Sequence, residues 1–236
     1  PMPRLINIIK SSAHQHGFGV MRHHLQQLRQ VIRLPPIIRI QKGNEFALSQ
    51  GFALFPRRGG RTPELGDPQV LEWLGRFLGR LHQVGKVKPF SQRPAFSVES
   101  HLLQSREVLS TLPFIPSYLR PAFDTALDQV IALCVKQYKP TTLIRLHGDC
   151  HAGNLFYVDE GPFFVDLDDC RSGPAIQDIW MMLSGDRLQQ RDTLELMLEE
   201  YEQYCEFDPA ELKLIEPLRA MRMVHYMAWL ARRWQD

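Results

Sequence analysis

Nowhere does this chain carry the run of about eighteen apolar residues that a membrane-spanning helix requires. Its opening, PMPRLINIIKSSAHQHG, lacks the basic segment and uninterrupted apolar core of a secretory signal, so a cytoplasmic protein is the expectation. Cysteine is scarce. Cys134, Cys150, Cys170 and Cys205 have neither the paired spacing of a zinc site nor the density of a disulfide scaffold. Charge is close to balanced, and a net of +2 with 23% charged residues gives no electrostatic ground for a nucleic-acid partner. A Walker loop is missing too: RRGGR at residues 57–61 has neither its spacing nor its lysine and reads as a surface turn. What remains is a chain of 236 residues, long enough to bury one or two sizeable cores.

The expected organisation is α+β, with little strand and much helix. Residues 1–36 have no sustained face of either period, and Pro35 and Pro36 stop any helix begun by Leu25, Leu28 and Ile32. The histidines His14, His16, His23 and His24 have no acidic or cysteine co-ligand there, so this segment reads as an arm rather than a metal site. Short runs at 37–41 and 45–56 suggest strands, the second run folding about Ser49-Gln50-Gly51. Pro68 then opens a helix with Val70, Leu71, Leu74, Phe77, Leu78 and Leu81 on one face. Gly75 and Gly79 each cost that helix roughly 1 kcal/mol against alanine, which implies close packing on another element. His82 beside this face reads as a buried, hydrogen-bonded histidine.

Further helices are expected at 98–109, 117–138, 175–183, 188–205 and 209–234. The apolar face of the second holds Leu119, Phe123, Leu127, Val130, Ile131, Cys134 and Val135. The last carries Leu214, Leu218, Met221, Val224, Tyr226, Trp229 and Leu230 as a broad surface for packing within the same lobe, or between subunits. The oligomeric state is left open.

The chemistry concentrates in LHGDCHAGNLFYVDEGPFFVDLDD, residues 146–169. Residues 143–146 read as a short strand, 155–158 and 163–167 as the two arms of a hairpin turning at Asp159-Glu160-Gly161. Such a hairpin brings Asn154 near Asp166. A carboxylate that orients a hydroxyl, with an amide oxygen and a second carboxylate for magnesium, is what phosphoryl transfer from a metal nucleotide needs. Asp149 takes the first role, Asn154 and Asp166 the metal. Of Asp168 and Asp169, one would reach a second ion or a water and the other would cap the next helix or pair with Arg171. A zinc site of His147, Cys150 and His151 would leave the aspartate–asparagine pair unused, so the histidines are expected to pin the loop.

HGDxHxxN followed by DLDD resembles the phosphotransferase branch of the protein-kinase-like superfamily, which includes aminoglycoside, choline and homoserine kinases. The longer segments LIRLHGDCHAGN, FFVDLDDCRSGPAIQDIWMMLSGD and EPLRAMRMVHYMAWLARRW are similar to the bacterial stress response kinase A family, also called RdoA or YihE, over residues 46–236. The resemblance implies a protein-kinase-like fold with a β-rich N-terminal lobe, an adenine-binding hinge and a helical C-terminal lobe. It also implies a cytoplasmic serine/threonine protein kinase using ATP and Mg2+, with a protein substrate as partner. On that pattern Asp149 matches the catalytic aspartate, Asn154 and Asp166 match the metal ligands, and the backbone of Leu54, Phe55 and Pro56 lies near adenine.

Residues 1–36 depart from the pattern. Neither Lys10 nor Lys42 stands where the family's phosphate-binding strand lysine should be, and no glycine-rich cover precedes them. The expectation is a large fragment, or the product of an altered reading frame: an arm at 1–36, a remnant of the small lobe and hinge at 37–61, and a nearly complete catalytic lobe at 62–236. Two alternatives to a protein kinase stay open. One is a kinase of small-molecule alcohols of the aminoglycoside or choline type. The other is an inactive kinase-derived fragment that only binds.

Overall fold

The computed structural model describes residues 59–158 and 161–234, together with the backbone of three strands among the first 55 residues. Contacts group the chain into two units, Pro1–Arg93 with Ile144–Phe207, and Pro94–Leu143 with Asp208–Asp236. The architecture is α+β and protein-kinase-like, with sparse strands first and a helix-rich region after.

In the first unit, strands β1 (Asn7–Lys10), β2 (Arg39–Lys42) and β3 (Gly51–Phe55) form an antiparallel sheet in the order β1-β3-β2. The runs read from the sequence at 37–41 and 45–56 supply β2 and β3. The other arm of the expected second pair lies outside the described residues, as does the histidine tract at 14–24. β1 comes from the segment expected to be an unpatterned arm. Its four residues are too few to declare themselves, and pairing with β3, Ile8 opposite Leu54, is what makes them a strand.

Helix α1 (Pro68–Val87) starts where Asp67 accepts a hydrogen bond from the Gln69 N–H at 2.9 Å, with Pro68 in the first turn. Val70, Leu71, Leu74, Leu78 and Leu81 are buried, as the periodicity requires. The two glycines face helix α5 (Arg187–Tyr201; α2 to α4 follow), itself opened by a capping box between Asp186 and Gln189. A Cβ on Gly79 would stand 2.6 Å from the Tyr201 carbonyl oxygen, and one on Gly75 would collide with that of Met197. The glycines therefore let the two backbones touch.

Strand β4 (Ile144–Leu146) pairs antiparallel with β7 (Arg171–Gly173), Leu146 opposite Arg171. Between them β5 (Leu155–Val158) and β6 (Gly161–Phe164) make the expected hairpin, Leu155 opposite Phe164. β6 stops short of the expected Leu167, because the backbone turns left-handed at Asp166 and residues Leu167–Asp169 close a 3-10 turn. Arg61 bridges to Tyr157 through both backbone hydrogen bonds (3.0 and 2.8 Å), and Trp73 of α1 stacks on Tyr157 with centroids 5.2 Å apart. The short helix α4 (Ile176–Trp180) is wholly buried.

The second unit holds a π-turn (Glu99–Leu103) running into α2 (Gln104–Thr111), then α3 (Arg120–Gln137), a 3-10 turn (Pro209–Leu214) and α6 (Ile215–Arg233). α6 packs on α2 and α3. The apolar face of α3 is narrower than its spacing suggests: Leu127 and Cys134 are buried, whereas Leu119 and Val135 are exposed. α6 is similarly divided. Leu218, Met221, Val224, Ala228 and Ala231 are buried, while Tyr226 and Trp229 are exposed and stack on one another at 5.6 Å.

A chain of polar groups is embedded in the first core. Asp178 of α4 has no exposure, and its carboxylate faces His82 Nε2 at 3.1 Å. The other nitrogen of His82 lies 3.0 Å from the Tyr201 hydroxyl, which donates to the Cys205 sulfur at 3.3 Å. The chain of contacts thus crosses from α4 through α1 to α5.

Helix propensity alone would have Gly79→Ala stabilise the protein by about 1 kcal/mol. Overpacking costs about 1–3 kcal/mol, and here the obstacle is backbone. Urea unfolding should show a net loss of stability; a gain would mean that α1 and α5 are not in backbone contact. Burial would raise the Asp178 carboxyl, but the His82 hydrogen bond, the His82 and His147 charges and the Gly148 N–H together hold it below its ordinary value. Stability from such a group is fully present above the unfolded pKa of about 3.9 and is lost as pH falls through the folded value. The melting temperature should therefore fall below about pH 4. Asp178→Asn should flatten that fall and cost about 3–5 kcal/mol at neutral pH. An unchanged acid limb in the variant would rule out this origin.

Candidate active site

Asp178 fixes the loop between β4 and β5. Its Oδ2 accepts from the His147 N–H and its Oδ1 from the Gly148 N–H, both at 2.8 Å. Gln177 adds a third hold, donating from Nε2 to the Gly148 carbonyl at 3.2 Å, while Trp180 Nε1 donates to Gln177 Oε1 at 3.1 Å. Gly148 has φ +90°, and any Cβ there would run into the Asp169 carbonyl oxygen, so only glycine fits this turn. His147 is fully buried and donates from Nε2 to the Val165 carbonyl at 2.8 Å. One imidazole thereby links the loop that carries Asp149 to the segment that carries Asp166.

The hairpin brings the remaining groups together. The Val165 N–H donates to the Asn154 carbonyl at 3.0 Å, which sets Asn154 across from the residue that precedes Asp166. The Asn154 side chain donates from Nδ2 to the Asp149 carbonyl (2.9 Å) and to Asp149 Oδ2 (3.3 Å). With Nδ2 so engaged, the amide oxygen is the atom left for a ligand. Asp166 has φ 58° and ψ 67°, the single non-glycine residue at positive φ among those described. A left-handed residue costs about 1–2 kcal/mol, least for Asp and Asn, and strain of this kind gathers at functional sites.

An amide oxygen and a carboxylate are hard donors that suit magnesium, and too few to enclose it, leaving positions for phosphate oxygens and water. Among the described residues no group of three or more His, Cys, Asp and Glu could hold a metal by itself. The zinc alternative has no support in the geometry. His147 Nε2 is bound to Val165, and Cys150 is fully buried, its thiol pushed well above the usual range by burial and by Asp178, Asp149 and Cys170.

Of Asp168 and Asp169, it is Asp169 that pairs with Arg171, at 2.9 Å. The Asp168 carboxyl is raised to about 6, first by burial and then by Asp166 and Asp169, against the opposing charge of Arg93. Arg93 also donates from Nη1 to the carbonyls of Asp168 (2.5 Å) and Cys170 (2.8 Å), gripping the turn just after Asp166. For the hinge, the backbone of Leu54 is paired with both Ile8 and Arg39, and that of Phe55 with Asn7; Pro56 lies outside the described residues.

Asp178, Gln177 and Arg93 of this site were not singled out in the sequence. Asp178 left a signal, as the one acid in the largely apolar segment AIQDIWMML. Arg93 left none, because its partners are backbone carbonyls 75 and 77 residues away.

The chain is 50% identical over 186 residues to stress response kinase A of Escherichia coli O157:H7, covering 78% of this chain and 56% of that protein. It is 48% identical over 197 residues to the serine/threonine protein kinase RdoA of Salmonella typhimurium, 82% of this chain and 60% of that one. It thus spans little more than half the length of these relatives. Among solved structures, an amicoumacin kinase aligns at TM-score 0.72 and 19% identity, over 97% of this chain and 74% of that one. A microcompartment-associated aminopropanol kinase aligns at 0.71 and 18%, over 96% and 77%, so both speak for the fold. The model of the phosphotransferase enzyme family matches residues 10–215, a span holding the whole Asp178-anchored loop and its hairpin, and the chain belongs to that family.

Proposed function

We propose that this chain transfers a phosphoryl group from ATP to an alcohol hydroxyl in a magnesium-dependent reaction. The observation that carries the reading is the Asn154 amide. It donates to Asp149 while its backbone is hydrogen-bonded to Val165, so the hydroxyl-orienting and metal-binding candidates share one small site.

In this reading Asp149 holds the acceptor hydroxyl in line and receives its proton as the oxygen attacks. Asn154 contributes its amide oxygen and Asp166 its carboxylate to Mg2+. The bound ion would offset negative charge on the nucleotide phosphates and on the transferred group. Leu54, Phe55 and Pro56 are proposed as the backbone beside adenine.

The acceptor has two readings. A small-molecule alcohol is supported by the family, a phosphotransferase family, and by the fold shared with an amicoumacin kinase and an aminopropanol kinase. A protein serine or threonine is supported by the 48% identical relative named a serine/threonine protein kinase. Labelled ATP offered with a panel of small alcohols, and separately with serine-bearing proteins, distinguishes them by where the label goes.

Asp149→Asn should leave nucleotide affinity within about threefold and lower transfer by about 10²–10⁴. Asp166→Ala should abolish the magnesium dependence of nucleotide binding. Unchanged transfer in the first variant, or unchanged magnesium dependence in the second, would overturn the assigned roles. A wild-type chain that binds ATP with magnesium and transfers to no acceptor, water included, would make it a binding remnant.

A further inference from the structure

Beside Asp149 stands a histidine that the reaction scheme above does not use. His151 occupies the residue before the 3-10 turn Ala152–Asn154, with extended backbone (φ −116°, ψ 167°), and its Nδ1 lies 2.9 Å from the Gly153 N–H. A peptide N–H can only donate, so Nδ1 accepts, and the ring hydrogen of the neutral imidazole sits on Nε2. That Nε2 lies 3.4 Å from Asp149 Oδ2, the oxygen that also receives the Asn154 amide. The separation is long for a formed hydrogen bond, as catalytic contacts commonly are before substrate closes the site.

Gly153 is part of the same arrangement. A Cβ at this position would lie 2.7 Å from the His151 Cε1 and 3.0 Å from its Nδ1. The imidazole rests against the bare Cα of residue 153, and any side chain there would push it off. His151 is also partly exposed, at 38% for the side chain, so no packed core demands an aromatic ring here. The ring is placed by two polar contacts and one glycine.

We propose that His151 is a positioning residue for Asp149: seated on Gly153 and held as the Nε2–H tautomer, it donates to Oδ2 and, with Asn154, fixes the rotation of the carboxylate that meets the acceptor hydroxyl. The proposal rests on Asp149 being that carboxylate. It assigns the spacing Asp149-x-His151-x-Gly153 a single purpose, in which the histidine reads its own turn with one nitrogen and the aspartate with the other. It also separates two jobs that one residue performs. Capping the turn uses Nδ1 and orienting the aspartate uses Nε2.

Those jobs can be divided by substitution. Asn offers an oxygen at the position of Nδ1 and keeps the cap; Gln extends an amide N–H toward the position of Nε2. Turnover of Mg-ATP with water as acceptor, affinity for AMP-PNP by calorimetry, and thermal stability would be measured on the whole 236-residue chain carrying His151→Asn, His151→Gln or Gly153→Ala. His151→Asn should keep wild-type stability and nucleotide affinity and lose at least tenfold in turnover. His151→Gln should retain turnover within about threefold of wild type at lower stability, and Gly153→Ala should lose turnover without changing AMP-PNP affinity. The opposite ranking, Asn active and Gln inactive, would show that His151 serves only as a cap and would overturn the proposal.

The histidine ring can also be read directly. With 15N-labelled histidine, His151 should show a protonated Nε2 and an acceptor Nδ1, and Asp149→Asn should shift the Nε2 resonance. A protonated Nδ1 defeats the positioning role alone, whatever the fate of Asp149. Absence of any Mg-ATP turnover in the wild-type chain defeats the phosphoryl-transfer reading and takes this role with it.

Discussion

A single buried carboxylate organises the site. Asp178 is surrounded by core, and a charge there is tolerable only because donors from three directions converge on it: the His147 and Gly148 N–H groups and the His82 ring. Two consecutive amides bound to one carboxylate cannot rotate independently, so the peptide that leads into Asp149 has its direction set from below. His147 passes that constraint onward through its bond to Val165. Asn154 receives it from both sides, through Asp149 and through the Val165 N–H. The catalytic candidates are thus held by backbone contacts and by the Asn154 Nδ2 bonds to Asp149, which leave the Asn154 amide oxygen directed to chemistry.

Much of this was legible in the sequence, for reasons that differ by residue. Spacing alone gave α1, because apolar side chains at three- and four-residue intervals have one face to bury. The glycines at 75 and 79 announced a close approach without naming the partner, since the partner's contribution is backbone carbonyl oxygen. The β5–β6 hairpin followed from two short apolar runs about a turn, and its register delivers Asn154 to the neighbourhood of Asp166. What could not be read was whatever depends on distant backbone. β1 exists through its pairing with β3, and Arg93 matters through two remote carbonyls. Within this chain Tyr226 and Trp229 stay outside the packed stripe, because periodicity marks a helix face as apolar without saying how wide that stripe is.

The electrostatics of the site balance in the same local way. Asp166, Asp168 and Asp169 lie within four consecutive residues, and such a cluster repels itself. Asp169 is offset by Arg171. Asp168 is buried beside Asp166 and Asp169, which raises its carboxyl to about 6, and the Arg93 charge opposes that rise. Asp166, with its left-handed backbone, is then the member whose charge is most available to a divalent cation. The phosphotransferase family supplies the chemical frame for this geometry.

Calorimetric titration of the folded chain with AMP-PNP, with and without magnesium, tests the central claim most directly. The account predicts saturable binding that requires magnesium, because Asn154 and Asp166 engage the nucleotide through the ion. Binding of equal strength with magnesium and with a chelator, or no binding by a demonstrably folded chain, would contradict it.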